Sequence, residues 1–223
     1  MNRSSESFYK SLDGNQKAFF NALLDYKVTC CNAKAGTGKT TISALAGLDM
    51  LEKDMITKII YIRFPDQLTQ SLGSFPGDAD EKEDYYMEPI IEAFEELGIS
   101  KERLMRDYIN MERVKLCTNI TLRGTNIKDA LVILDEAQNA TFKDLKLVLT
   151  RIHDSCHVAI IGHSDQCDNK HCIKERAFEA YMDHMCKKQW SKRVDLKTNY
   201  RGKISSWADE LMLSSDGYYV NEK

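Results

Sequence analysis

Val28-Thr29-Cys30-Cys31-Asn32 runs straight into Ala33-Lys34-Ala35-Gly36-Thr37-Gly38-Lys39-Thr40-Thr41, and the reading of the fold starts there. An apolar strand that empties into a glycine-rich turn and then into Lys-Thr at a helix start builds a cradle for polyphosphate. Gly36 and Gly38 let the backbone turn its N–H groups inward without Cβ clashes. Lys39 reaches the β- and γ-phosphates, and the hydroxyl of Thr40 is placed to ligate Mg²⁺. The next residues, 41–52, are rich in Ala and Leu and contain no proline. They read as a helix whose N-terminal dipole faces the anion. The pattern G-x-x-x-x-G-K-T asks for glycine at position 33, where this chain has Ala33. The later glycines approach the phosphates most closely, so the departure is tolerable. A nucleoside triphosphate is therefore expected on the loop formed by Ala35, Gly36, Thr37, Gly38, Lys39, Thr40 and Thr41.

Outward from that loop, apolar β-branched runs alternate with helical stretches. Strands are read near 27–32, 56–63, 114–118, 131–135 and 157–162, with helices near 39–53, 84–98, 141–152, 172–187 and 203–213. Such alternation predicts an α/β fold, a mostly parallel sheet with helices on both faces. The 223 residues are expected to form one domain, 1–223, with an insertion at about 64–113 that holds all three prolines and an acid-rich run. A net charge of −3 gives no global attraction to nucleic acid or to an anionic membrane. No apolar run approaches a bilayer span, and the first ten residues lack a signal peptide's apolar stretch. Seven cysteines, an odd number, fit a reducing cytoplasm better than a disulfide framework.

Leu131-Val132-Ile133-Leu134-Asp135-Glu136 is an apolar run ending in two acids. A buried parallel strand delivers such residues to the sheet edge where ligands sit. Asp135 is expected to hold Mg²⁺ opposite Thr40, and Glu136 to orient and deprotonate an attacking water. That pair points to hydrolysis rather than to transfer onto a small acceptor. After the strand at 157–162, Gln166 is the candidate sensor of the γ-phosphate, because its amide both donates and accepts. Arg201, in Asn199-Tyr200-Arg201, is a candidate to neutralise charge on the transferring phosphoryl group.

The combination of AGTGKT with YIRFP at 61–65, PGD at 76–78, LRGT at 122–125, LVILDEAQNAT at 131–141 and GHSDQCD at 162–168 resembles the PhoH-like proteins, P-loop ATPases related to the superfamily-one helicases. The likeness runs from about Asn15 to the C-terminus. It implies a RecA-like P-loop core, ATP as the nucleotide, and RNA or single-stranded nucleic acid as the partner. It also matches Gln16 to a glutamine that recognises adenine, Arg63 and Arg123 to strand-end arginines, and Gln138 to the position that couples the site outward. Asn199-Tyr200-Arg201 is similar to the N-Y-R motif whose arginine contacts the γ-phosphate. One motif departs: the family has Gly-Asp-x-x-Gln after the fourth strand, and this chain has His163 in place of the aspartate. That replacement weakens metal or water positioning, or makes hydrolysis sensitive to pH.

Other clusters carry less. All five histidines and four of the seven cysteines fall between His153 and Cys186, but without a C-x-x-C pair they read as buried thiols and surface imidazoles rather than zinc ligands. The acid-rich run at 78–84 reads as a solvated loop, and Lys187 to Arg193, with Trp190 inside, as a weak nucleic-acid contact. An ATP-driven motor on RNA or single-stranded nucleic acid is therefore the leading expectation. An ATP-binding regulator of a protein partner is the alternative, and a small-molecule kinase is a distant third. One core with one phosphate loop further suggests a homo-oligomer, best a ring of six, with Arg201 acting in trans or on its own chain's nucleotide.

Overall fold

A computed structural model describes residues 3–64, 79–117, 126–167, 170–208, 211–213 and 219–221. Six strands make one sheet: β1 (Val28–Asn32), β2 (Lys58–Arg63), β3 (Val114–Cys117), β4 (Ala130–Asp135), β5 (His157–Gly162) and β6 (Ser191–Arg193). Their order is β3-β2-β4-β5-β1-β6, and every pairing is parallel. The strand that feeds the phosphate loop, β1, is thus separated from the Asp-Glu strand, β4, by β5 alone. The parallel sheet is the one the α/β reading expected, and its strand order is that of the RecA-like P-loop core that the resemblance implies.

The strands are apolar almost throughout because helices cover both faces. One face of the sheet, carrying Cys31, Tyr61, Ile133 and Ile161, packs under α2 (Gly14–Asp25), α3 (Lys39–Glu52) and α4 (Ala79–Glu96). The other, carrying Cys30, Ile62, Leu134 and Ile160, packs under α6 (Phe142–Leu149) and α8 (Ala177–Met185). Alternate residues of each strand therefore enter different cores. α3 lies so close to the sheet that a Cβ on Gly47 would stand 2.6 Å from the Ile59 side chain.

The expected strands at 27–32, 56–63, 114–118, 131–135 and 157–162 all form, within two residues of their bounds. Two helices are corrected. The stretch 172–187 is broken at Arg176, whose φ is +46°, into α7 (Lys170–Glu175) and α8. The stretch 203–213 is helical only as α9 (Lys203–Ala208), and β7 (Leu211–Leu213) instead pairs antiparallel with β8 (Tyr219–Asn221). Leu and Met favour a helix by intrinsic propensity, but the antiparallel pairing with β8 overrides that preference.

Of the stretch 64–113, α4 packs on α3 through buried Ile90 and Phe94, and α5 (Lys101–Leu104) continues into a π-helical turn, Met105–Ile109. Two N-terminal helices had no counterpart in the sequence reading: α1 (Arg3–Ser11) and α2. Asp13 caps α2 in a capping box with Gln16. PGD at 76–78, LRGT with Arg123, Asp168, the side chains of the acid-rich run at 78–84, and that of His171 lie outside the described residues. None of the described helices is long and apolar enough to cross a membrane. All seven cysteines lie among the described residues, and none of them forms a disulfide.

Candidate active site

The phosphate loop leaves β1 at Asn32. The Ala33 N–H donates to Gly162 O at 3.0 Å, tying the loop to the end of β5. Gly36 and Gly38 have φ of +75° and +87°, values that favour glycine. At Gly36 a second reason applies, since a Cβ would stand 2.7 Å from Arg201 Cγ and from Asn199 Oδ1. Ala33 is not among the left-handed residues, which is why alanine is accommodated there.

Lys39 folds back over the loop and donates to Ala33 O (2.5 Å) and Lys34 O (3.0 Å). Burial holds its ammonium below the ordinary lysine range, against the pull of Asp135 and Glu136. α3 begins at Lys39 with Gly38 as its N-cap, and no side chain caps that end. A helix N-terminus that opens into a cleft without a side-chain acceptor suits an anion.

Asp135, 3% exposed, closes β4. Its Oδ2 accepts from Thr40 Oγ1 at 2.9 Å and from the Tyr61 hydroxyl at 2.8 Å, and its Oδ1 accepts from the Glu136 N–H at 2.9 Å. Tyr61 is fully buried, and burial beside Asp135 pushes its phenol well above the ordinary range, so it stays a donor. Glu136 has φ +52°, the left-handed region, an uncommon conformation for a residue with a side chain that is found at functional sites. Its Oε2 accepts from Gln138 Nε2 at 2.5 Å, and Gln138 Oε1 accepts from the His163 N–H at 3.0 Å. Gly162 makes room for this link, because a Cβ there would collide with Gln138 Oε1. Burial, and then the Asp135 charge, raise the Glu136 carboxyl above the ordinary range.

These residues share one cleft of about 740 Å³, lined by residues 35–41 of the loop together with Gln16, Arg63, Asp135, Glu136, Tyr200 and Arg201. Phe8 of α1, Leu12 just after it, and Glu92 and Glu96 of α4 form other walls. Thr41 Oγ1 donates to Glu96 Oε2 at 2.8 Å. Gln16 spans the rim: its Nε2 donates to Thr37 O and its Oε1 accepts from the Asp13 N–H, both at 3.1 Å. Its amide keeps one N–H and one lone pair for a ligand. Tyr200 straps the loop to α2, with its N–H donating to Gly36 O at 2.8 Å and its hydroxyl to Asp13 Oδ2 at 2.7 Å.

Arg201 lies against its own chain's loop. Neither Gln166 nor His163 lines the cleft, and the His163 ring faces Asp165, with Nε2 3.6 Å from Oδ2. Among the described residues no group of three or more His, Cys, Asp or Glu is placed to hold a metal ion.

The model of the family described as PhoH-like protein matches residues 10–210. The chain belongs to the PhoH-like family. It is 38% identical over 136 residues to a PhoH-like protein of Bacillus subtilis, covering 60% of this chain and 41% of that protein. It is 31% identical over 153 residues to one of Synechocystis, covering 69% and 46%. To the protein PhoH of Escherichia coli K12 it is 33% identical over 155 residues, covering 69% and 43%. This PhoH-like chain thus spans less than half the length of these relatives. Among solved structures, the Hef helicase domain of Pyrococcus furiosus aligns over 81% of this chain and 37% of its own, with a TM-score of 0.40 and 12% identity.

Proposed function

We propose that the chain hydrolyses ATP with Mg²⁺ in this cleft and couples the reaction to binding or remodelling of RNA or another single-stranded nucleic acid. The observation that carries the reading is the meeting, in one cleft, of an uncapped helix N-terminus, Lys39, the Thr40–Asp135 pair and Glu136. Thr40 and Asp135 offer hard oxygen donors with one carboxylate, a set that fits Mg²⁺, which keeps its waters and takes its remaining ligands from phosphate. When bound, Mg²⁺ neutralises charge that develops on the phosphate oxygens.

The chain's own residues supply the rest. Lys39 exchanges its two carbonyl partners for phosphate oxygens, and the α3 N-terminus adds roughly half a positive charge. Glu136, poised by Gln138, orients a water and takes its proton. Gln138 links Glu136 to the backbone of His163, so a change at the γ-phosphate reaches the loop after β5.

Support for the nucleic-acid half comes from the resemblance to helicases and from exposed aromatics beside cations. Trp190, 46% exposed, stands between Lys188 and Lys192 but at the start of β6, at the edge of the sheet opposite the cleft. Trp207, 70% exposed, lies six residues after Arg201, which lines the cleft, and is the stacking platform proposed. The same apolar surface, with Ile204 at 89% exposure, is what a second copy would cover if the chain forms the expected homo-oligomer, a ring of six. The setting proposed is the cytoplasm, where free thiols stay reduced.

The deciding experiment is phosphate release from ATP with and without single-stranded RNA. Stimulation by RNA is expected. Turnover that RNA and single-stranded DNA leave unchanged would assign the chain to regulation of a protein partner.

Two smaller effects accompany the proposal. Tyr61→Phe removes one of the two hydroxyl donors that orient Asp135 Oδ2, and the Mg²⁺ concentration for half-maximal turnover is expected to rise about 3- to 10-fold, from a hydrogen bond worth about 1 kcal/mol. A Mg²⁺ titration that overlays the parent's would remove Tyr61 from this role. Gln16 is read as the contact to the adenine edge. Gln16→Ala is therefore expected to bring GTP turnover level with ATP turnover, and a parent that already turns over both equally would contradict that.

A further inference from the structure

We propose that Arg63 is the in-chain cation that meets the terminal phosphoryl group of the bound triphosphate. The inference rests on the nucleotide reading of the cleft and assigns a residue to its reactive end. Arg63 closes β2, and in the parallel register its Cα stands opposite that of Asp135. Its side chain lines the cleft together with Lys39, Asp135 and Glu136.

The decisive feature is what Arg63 does not bind. Its Nε is buried and has no hydrogen-bond partner. Both neighbouring carboxylates are engaged elsewhere: Asp135 by Thr40, Tyr61 and the Glu136 N–H, and Glu136 by Gln138. Three arginines away from the cleft are paired with carboxylates, Arg193 with Asp195, Arg176 with Glu179 and Arg106 with Asp107. A buried guanidinium donor without an acceptor is rare in folded proteins and calls for a ligand. The ligand must bring acceptor oxygens to the place where Glu136 would hold the attacking water, which describes the γ-phosphate and neither the base nor the ribose. A planar fork of N–H donors suits that group better than a point charge does. Arg201 is different in kind: it is exposed and flanks Gly36.

The test compares equilibrium binding of Mg²⁺·AMP-PNP and Mg²⁺·ADP to the parent, R63Q and R63K, with thermal unfolding followed alongside. R63Q is expected to weaken AMP-PNP about 10- to 100-fold, the range for a lost charge-assisted hydrogen bond, and to leave ADP within about twofold. Its turnover is expected to fall about 10³-fold, the lower range for an arginine on a transferring phosphoryl group. R63K, which keeps the charge and loses the fork, is expected to fall between parent and R63Q in its AMP-PNP to ADP ratio. It serves as the reading if R63Q does not fold. Equal weakening of both nucleotides would mean that Arg63 only shapes the loop, and parental affinity for both would mean that it faces no phosphate; either result overturns the proposal. A parent that binds neither nucleotide overturns the nucleotide reading of the cleft itself.

Discussion

Glu136→Gln is expected to hold ATP as tightly as the parent and to lower its turnover by about 10²- to 10⁴-fold, the usual contribution of a positioned general base. The substitution keeps the shape, and the amide still accepts from Gln138, but the group that takes the water's proton is gone. Nothing in the phosphate cradle changes, because Lys39 and Thr40 make their contacts with other atoms. Stability is expected to move the opposite way from activity. Burial and Asp135 raise the Glu136 carboxyl in the folded chain, so the native state binds more protons than the unfolded one between the ordinary carboxylate range and the raised value. Stability from this group therefore falls as pH rises through that window, and the neutral glutamine removes the cost at pH 7. A higher midpoint of thermal unfolding in Glu136→Gln is the expected readout. The same raised carboxyl places the acid limb of the parent's pH–rate profile above the ordinary glutamate range. Parental turnover in Glu136→Gln would show that another group activates the water.

Lys39→Ala is expected to abolish both binding and turnover. Two charge-assisted hydrogen bonds to phosphate, each worth about 1.5–3 kcal/mol, correspond to a loss of about 10²- to 10⁴-fold in ATP affinity. The truncation also leaves the Ala33 carbonyl without its lysine donor, while Lys34 O keeps the Thr37 hydroxyl, which adds a smaller cost in stability. Titration of a fluorescent ATP analogue separates these effects from unfolding. Tight binding by a folded Lys39→Ala protein would contradict the assignment of the loop.

The two ends of the site were legible for a physical reason. A strand buried on both faces must be apolar to its last residue, so polar residues that end such a run, as Asp135 and Glu136 end β4, mark the sheet edge. Other parts depend on register, which no local pattern carries. Tyr61 meets Asp135, and Arg63 lies opposite it, only because β2 pairs with β4 in one of several possible alignments. α1 carries no clear start signal, whereas Asp13-x-x-Gln16 is a capping signal for α2 that the sequence does offer. Gln166 follows β5 at the expected spacing but does not line the cleft, while Gln138 reaches Glu136. The helix expected at 203–213 failed beyond Ala208 because a distant segment, Tyr219–Asn221, supplies a strand partner.

The most direct measurement of the central claim is the identity of the nucleotide that each protein retains after mixing with Mg²⁺ and ATP and rapid removal of free ligand. The account predicts ADP on the parent, intact ATP on Glu136→Gln and no nucleotide on Lys39→Ala. ADP on both the parent and Glu136→Gln, or equal retention by Lys39→Ala, would contradict it.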